Sequence, residues 1–150
     1  MFSSSLILGF ACLISGADPA EDAKKEIEKF RGTWKWISME SEGTKLPEAT
    51  FKDSRLIMDG DKFIARDPKE TLSGTFTVSV IRKPKTIDVI FDEGPEKGKV
   101  FKGIYELEGD TYKVCIALPG KDRPTEFVSK PESGQVLQVL RREKRQGRRP

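Results

Sequence analysis

The 150-residue chain is long enough for one domain with a real core. Its 27 Lys and Arg against 24 Asp and Glu leave a net charge of +3 with both signs interspersed, which suits a soluble surface. Histidine is absent and only two cysteines occur, which removes Ser-His and Cys-His catalytic pairs and starves any zinc site of ligands.

The first segment, residues 1–17, reads as an export signal. Leu6–Ile14 is an apolar run far shorter than the roughly 20 residues that span a bilayer. Ser15-Gly16-Ala17 supplies small residues for cleavage after Ala17, although Met1–Ser5 lacks the usual Lys or Arg. An exported protein, periplasmic or secreted, is the expectation. A lipid anchor on Cys12 is the alternative, weakened by Gly9 where a branched apolar residue belongs. After cleavage Cys115 is left alone, so no internal disulfide forms.

Residues 18–31 predict a helix. Asp18 can cap it, Pro19 suits its first position, and Glu21 completes a capping box. Ala23, Ile27 and Phe30 make a narrow apolar stripe, and Gly32 stops the run. Such a helix should lie across a barrel end.

From residue 32 the period changes to two. Trp34 and Trp36 share one face, and the apolar mixture beyond Ile37 suggests a bulge. Residues 41–53 read as a loop. Arg55–Met58 and Lys62–Arg66 flank an Asp59-Gly60-Asp61 turn, better read as a hairpin than as a fragment of a calcium loop. Alternating strands follow over 72–80, 87–91, 101–107 and 112–116, then a short one at Glu126–Ser129 and a last one at Gln135–Arg142. Gly94–Lys99 has one residue too few for a phosphate loop, and a strand rather than a helix follows it. The sum is all-β: an antiparallel up-and-down barrel of about eight or nine strands over 32–142, with a two-sheet sandwich as the alternative. Residues 143–150 form a basic tail that could meet an anionic surface, nucleic acid being the least expected partner of an exported protein.

Gly32-Thr33-Trp34 resembles the Gly-x-Trp of lipocalins, and Phe30–Lys35 is similar to the opening of fatty-acid-binding proteins. Gly94–Lys99, Gly103–Leu107, Gly109-Asp110-Thr111, Cys115 and Arg123–Phe127 together resemble a lipocalin-like domain of unknown function found in exported planctomycete proteins. That resemblance implies a lipocalin-like barrel across residues 26–144, with Gly32 and Trp34 structural and an arginine of the final strand laid over Trp34. With Gln138 taken as outward-facing, Arg141 is the expected arginine and Arg142 the competitor. The Arg-x-Tyr carboxylate clamp of fatty-acid-binding proteins has no counterpart.

No catalytic set emerges. The acid pairs Glu106/Glu108 and Asp92/Glu93 are the closest approach to hydrolytic chemistry, and the parity of Glu106 and Glu108 turns them to solvent. The expected function is non-enzymatic, without metal or cofactor: a monomeric carrier of a small apolar ligand, or a solid barrel serving as an interaction module. A carrier needs an apolar cavity of about 300 Å³ or more with a few orienting polar groups. Trp34, Tyr105, Tyr112 and, if its loop folds over the rim, Arg123 are the candidate ligand contacts. The inward set Trp34, Trp36, Phe63, Phe76, Val78, Phe91, Phe101, Tyr105 and Phe127 favours a filled or nearly filled interior.

Overall fold

The computed structural model describes residues 18–144. The expected leader with Cys12 and the end of the basic tail, 145–150, lie outside the described residues.

Helix α1 spans Pro19–Glu28, and Asp18 Oδ1 accepts the Ala20 N–H at 3.0 Å. The helix stops before Phe30, whose side chain is fully buried and plugs one end of the sheet. Nine strands follow: β1 (Gly32–Ser41), β2 (Thr44–Lys45), β3 (Arg55–Asp59), β4 (Lys62–Arg66), β5 (Thr71–Ser79), β6 (Lys85–Phe91), β7 (Val100–Glu108), β8 (Thr111–Ala117) and β9 (Gln135–Arg142). From β3 onward each pairs antiparallel with the next, β3 also pairs with β1, and β1 pairs with β9. Only the short β2 stands outside this ring, attached to the far end of β1. The result is a closed eight-stranded up-and-down barrel compatible with a lipocalin-like fold, with no open edge among its eight staves.

The register of β1 against β9 shifts between Trp36 and Ser38. Both tryptophans therefore point inward, Ile37 occupies the bulge at 43 % exposure, and Met39 resumes the inner side. Close approach fixes one glycine. Gly74 stands opposite Phe63, and a Cβ there would lie 2.6 Å from that ring and 2.2 Å from the Ile90 carbonyl oxygen. The ring occupies the space where a side chain would be.

Four expectations need correction. Residues 126–129 form no strand, and the stretch read as a plain loop at 41–53 contains β2 and a 3-10 turn at Glu48–Thr50. Phe127, expected inside, lies on the outer side, where the Lys113 ammonium sits 4.6 Å from its ring centroid. The reason is that residues 118–134 fold back as a strap over the outside of β7 and β8. Beneath it Ile104, Cys115 and Ala117 face outward yet are buried, with Pro124 closing over them. The parity of β9 is also inverted, with Gln138, Leu140 and Arg142 on the inner side.

Candidate functional site

The barrel interior has two parts. At the helix end an aromatic plug is built around Phe30, whose ring centroid lies 5.1 Å from Tyr105, 5.2 Å from Tyr112 and 5.4 Å from Phe76 in edge or tilted contacts. Trp34 joins through Tyr112 at 5.7 Å and donates its indole N–H to the Phe30 carbonyl at 2.7 Å. The tryptophan thus fastens the chain segment that carries the plug.

Arg142 seals this end. Its guanidinium lies 4.5 Å from the Trp34 ring and donates to the Arg31 and Lys29 carbonyls at 2.5 and 2.6 Å. Register explains why Arg142 takes the place expected of Arg141. Trp34 pairs with Arg142, whereas Arg141 pairs with outward-facing Lys35 and is exposed. Gly32 (φ +135°) gives the arginine its path, since a Cβ there would meet the Arg142 stem at 3.3 Å.

One charge is buried beside the plug. Glu26, 4 % exposed, accepts from Lys85 Nζ at 2.8 Å, Lys29 Nζ at 3.0 Å and the Tyr105 hydroxyl at 3.1 Å. Burial pushes this carboxyl up, but the hydrogen bonds from Lys85, Lys29 and Tyr105 outweigh it and hold it below its ordinary range. The Tyr105 hydroxyl is pushed strongly up by burial and by Glu26 beside it, so it stays protonated and donates.

Beyond the plug the barrel encloses an apolar cavity of about 220 Å³. Trp36, Ala65, Val89, Phe91 and Phe101 supply much of its wall, and Leu118, 49 % exposed, stands at its rim. Polar groups are few. Gln138 Oε1 accepts the Trp36 indole N–H at 2.7 Å, which is what permits an amide on the inner face. Tyr112 offers a hydroxyl that no described residue engages, held protonated because burial pushes it strongly up. A second recess of about 210 Å³ under the 48–54 segment shares Trp36 and Ala65 with the cavity. The indole of Trp36 is therefore a partition between two spaces.

Of the four residues expected to touch a ligand, only Tyr112 lines this cavity. Tyr112 belongs to the plug rather than to an opening, as the Phe30 and Trp34 contacts show. Trp34 and Tyr105 are consumed by the plug. Arg123 lies outside the barrel, donating to the Ile87 and Gly103 carbonyls at 3.1 and 2.8 Å and to Asp88 at 2.6 Å, where it pins the strap to β6 and β7. Trp36 was expected inside but not as a ligand contact, and Gln138, read as outward-facing, was missed. The partial signal was that an inward indole needs an acceptor; which side chain supplies it follows only from the pairing of β1 with β9. The acid pairs stand apart from the cavity, with Glu106 paired to Lys113 at 3.2 Å and Glu93 accepting from Ser73.

No family model matches this chain, and no curated protein or solved structure matches it significantly.

Proposed function

We propose that this chain is an exported, non-catalytic barrel that binds one small, neutral, apolar molecule, in keeping with its resemblance to the lipocalin-like domain of exported planctomycete proteins. The observation that carries the reading is the apolar cavity of about 220 Å³ inside the barrel. It falls short of the volume first expected of a carrier, and that sizes the ligand down. An apolar cavity of about 150 Å³ holds benzene, so this one suits roughly eight to ten carbon atoms. No charged side chain lines it, so a carboxylate head would be buried unpaired at high cost. The Tyr112 hydroxyl is the group available to orient a carbonyl or alcohol oxygen.

The test is calorimetric titration with butylbenzene, 1-octanol and octanoate. The neutral probes should saturate at one site, with octanoate at least about 10-fold weaker because its charge must be stripped of water. Trp36 fluorescence should respond, and Trp36→Phe should remove that response while Trp34 remains. Val89→Phe, which fills the cavity, should abolish binding without unfolding the barrel. If none of the three probes binds, the carrier reading fails, and the barrel is the solid scaffold of an interaction module.

A further inference from the structure

Outside the barrel wall, a recess of about 420 Å³ is lined by Arg82, Lys102, Lys121 and Arg123 together with Val100 and Asp122. Arg123 is committed to Asp88, but none of Arg82, Lys102 and Lys121 has a salt-bridge partner among the described residues. Residues 18–144 carry equal numbers of cationic and anionic side chains, so this cluster is a local excess on a neutral body. Lys121 is also held in place. Its stem packs on Gly134, where a Cβ would meet Lys121 Cγ at 2.7 Å.

The recess adjoins the mouth of the cavity. Phe101 lines the cavity while Val100 and Lys102, its neighbours on β7, belong to the recess. Leu118 at the cavity rim and Lys121 in the recess are closed into one turn by the Lys121 N–H to Leu118 carbonyl bond at 3.0 Å. Two aliphatic side chains stand in the water around it: Leu118 at 49 % and Val100 at 39 % exposure. β9 itself finishes at Arg142, beside the aromatic plug.

We propose that this surface docks on an anionic phospholipid membrane. Headgroup phosphates enter the recess against Arg82, Lys102 and Lys121, while Val100 and Leu118 dip into the acyl boundary. A free phosphate would use the cations alone and leave two aliphatic side chains exposed; a lipid surface satisfies both. Docked this way, the cavity mouth opens towards the bilayer. The contact does not require the cavity to be loaded, so it stands apart from the ligand reading.

The experiment is vesicle co-sedimentation of the full chain, with residues 1–17 common to every variant. Vesicles of phosphatidylcholine with 30 % phosphatidylglycerol are compared with pure phosphatidylcholine at low and high salt. Binding should favour the anionic vesicles and weaken with salt. Lys102→Ala with Lys121→Ala should lower the partition coefficient about 25-fold, at about 5-fold per cation removed. Leu118→Ser should weaken it with no change of charge, whereas Arg145→Ser, Arg148→Ser and Arg149→Ser together should leave the selectivity in place. Equal binding to both vesicles overturns the proposal. So does loss of binding with the tail variant while the Lys102/Lys121 variant binds normally. Millimolar inorganic phosphate shifting the Lys102 and Lys121 amide resonances, with no vesicle binding, would identify a soluble-anion site and equally overturn it.

Discussion

Arg142 and Trp34 form the joint where the last strand meets the first. The cation–π contact contributes about 0.5–2 kcal/mol, and the two carbonyl acceptors add to it. Arg142→Met should therefore destabilise by about 2–3 kcal/mol, losing charge-assisted bonds, while Arg141→Met, on the exposed face, should stay within about 0.5 kcal/mol. Urea denaturation of the two variants decides it; equal effects would show that the register argument is wrong. Gly32→Ala should behave like Arg142→Met, because it strains φ +135° and crowds the same arginine stem. That an arginine of the last strand would meet Trp34 was implied by the lipocalin resemblance; which arginine was not. Gln138 looked outward because it is polar. Its amide is inward because it accepts from Trp36, a partner visible only once β1 and β9 lie side by side.

Among the elements, α1 depends on a charge and the strap on a covered face. Glu26 is held below its ordinary pKa by Lys85, Lys29 and Tyr105 despite its burial. Its contribution to stability is therefore fully present above the unfolded carboxylate value of about 4.3, and it is lost as pH falls through the lower folded value. Glu26→Gln should cost about 1–3 kcal/mol at pH 7 through orphaned partners. The gap between variant and wild type should close as pH approaches 2; a gap of constant size across that range would rule out the linkage. The helix itself was plain from Asp18, Pro19 and the stripe ending in Phe30. Glu26 was not, because a stripe counts apolar positions and ignores an acid whose partners come from β6 and β7. The strap was missed for a related reason. Val114-Cys115-Ile116-Ala117 is an unbroken apolar run, a sign that both faces of β8 are covered, yet residues 118–134 read only as loop and a short strand. Burial pushes the Cys115 thiol up to about 11, and its Sγ lies 3.4 Å from the Val128 carbonyl oxygen. An aromatic disulfide reagent at pH 8 should therefore modify Cys115 only in denaturant; rapid native-state labelling would mean that the strap opens freely.

At the scale of the whole molecule, one end of the barrel is solid and the space gathers towards the other. Phe30, Trp34, Tyr105, Tyr112 and Arg142 leave nothing to fill at the helix end, so ligand size is set by what bounds the cavity beyond them. Trp36 is that boundary. Its indole separates the cavity of about 220 Å³ from the recess of about 210 Å³ under residues 48–54. Removing the indole should merge the two and roughly double the usable volume. The clean variant is Trp36→Leu combined with Gln138→Leu, because the single change would leave the Gln138 amide without its indole partner. Cutting a fully buried aromatic side chain to alanine costs about 3–5 kcal/mol, and less here, because Trp36 is only half-buried and leucine refills part of the gap. The double variant should therefore fold with lower stability. In calorimetric titration with 1-alkanols, wild type should gain affinity with each added methylene up to about ten carbons and then lose it as the chain meets Trp36. Each buried methylene is worth about 0.8 kcal/mol, so the break in slope should be sharp. The double variant should carry the rise several carbons further. An identical break in both proteins would place the wall elsewhere, and the partition assigned to Trp36 would be wrong.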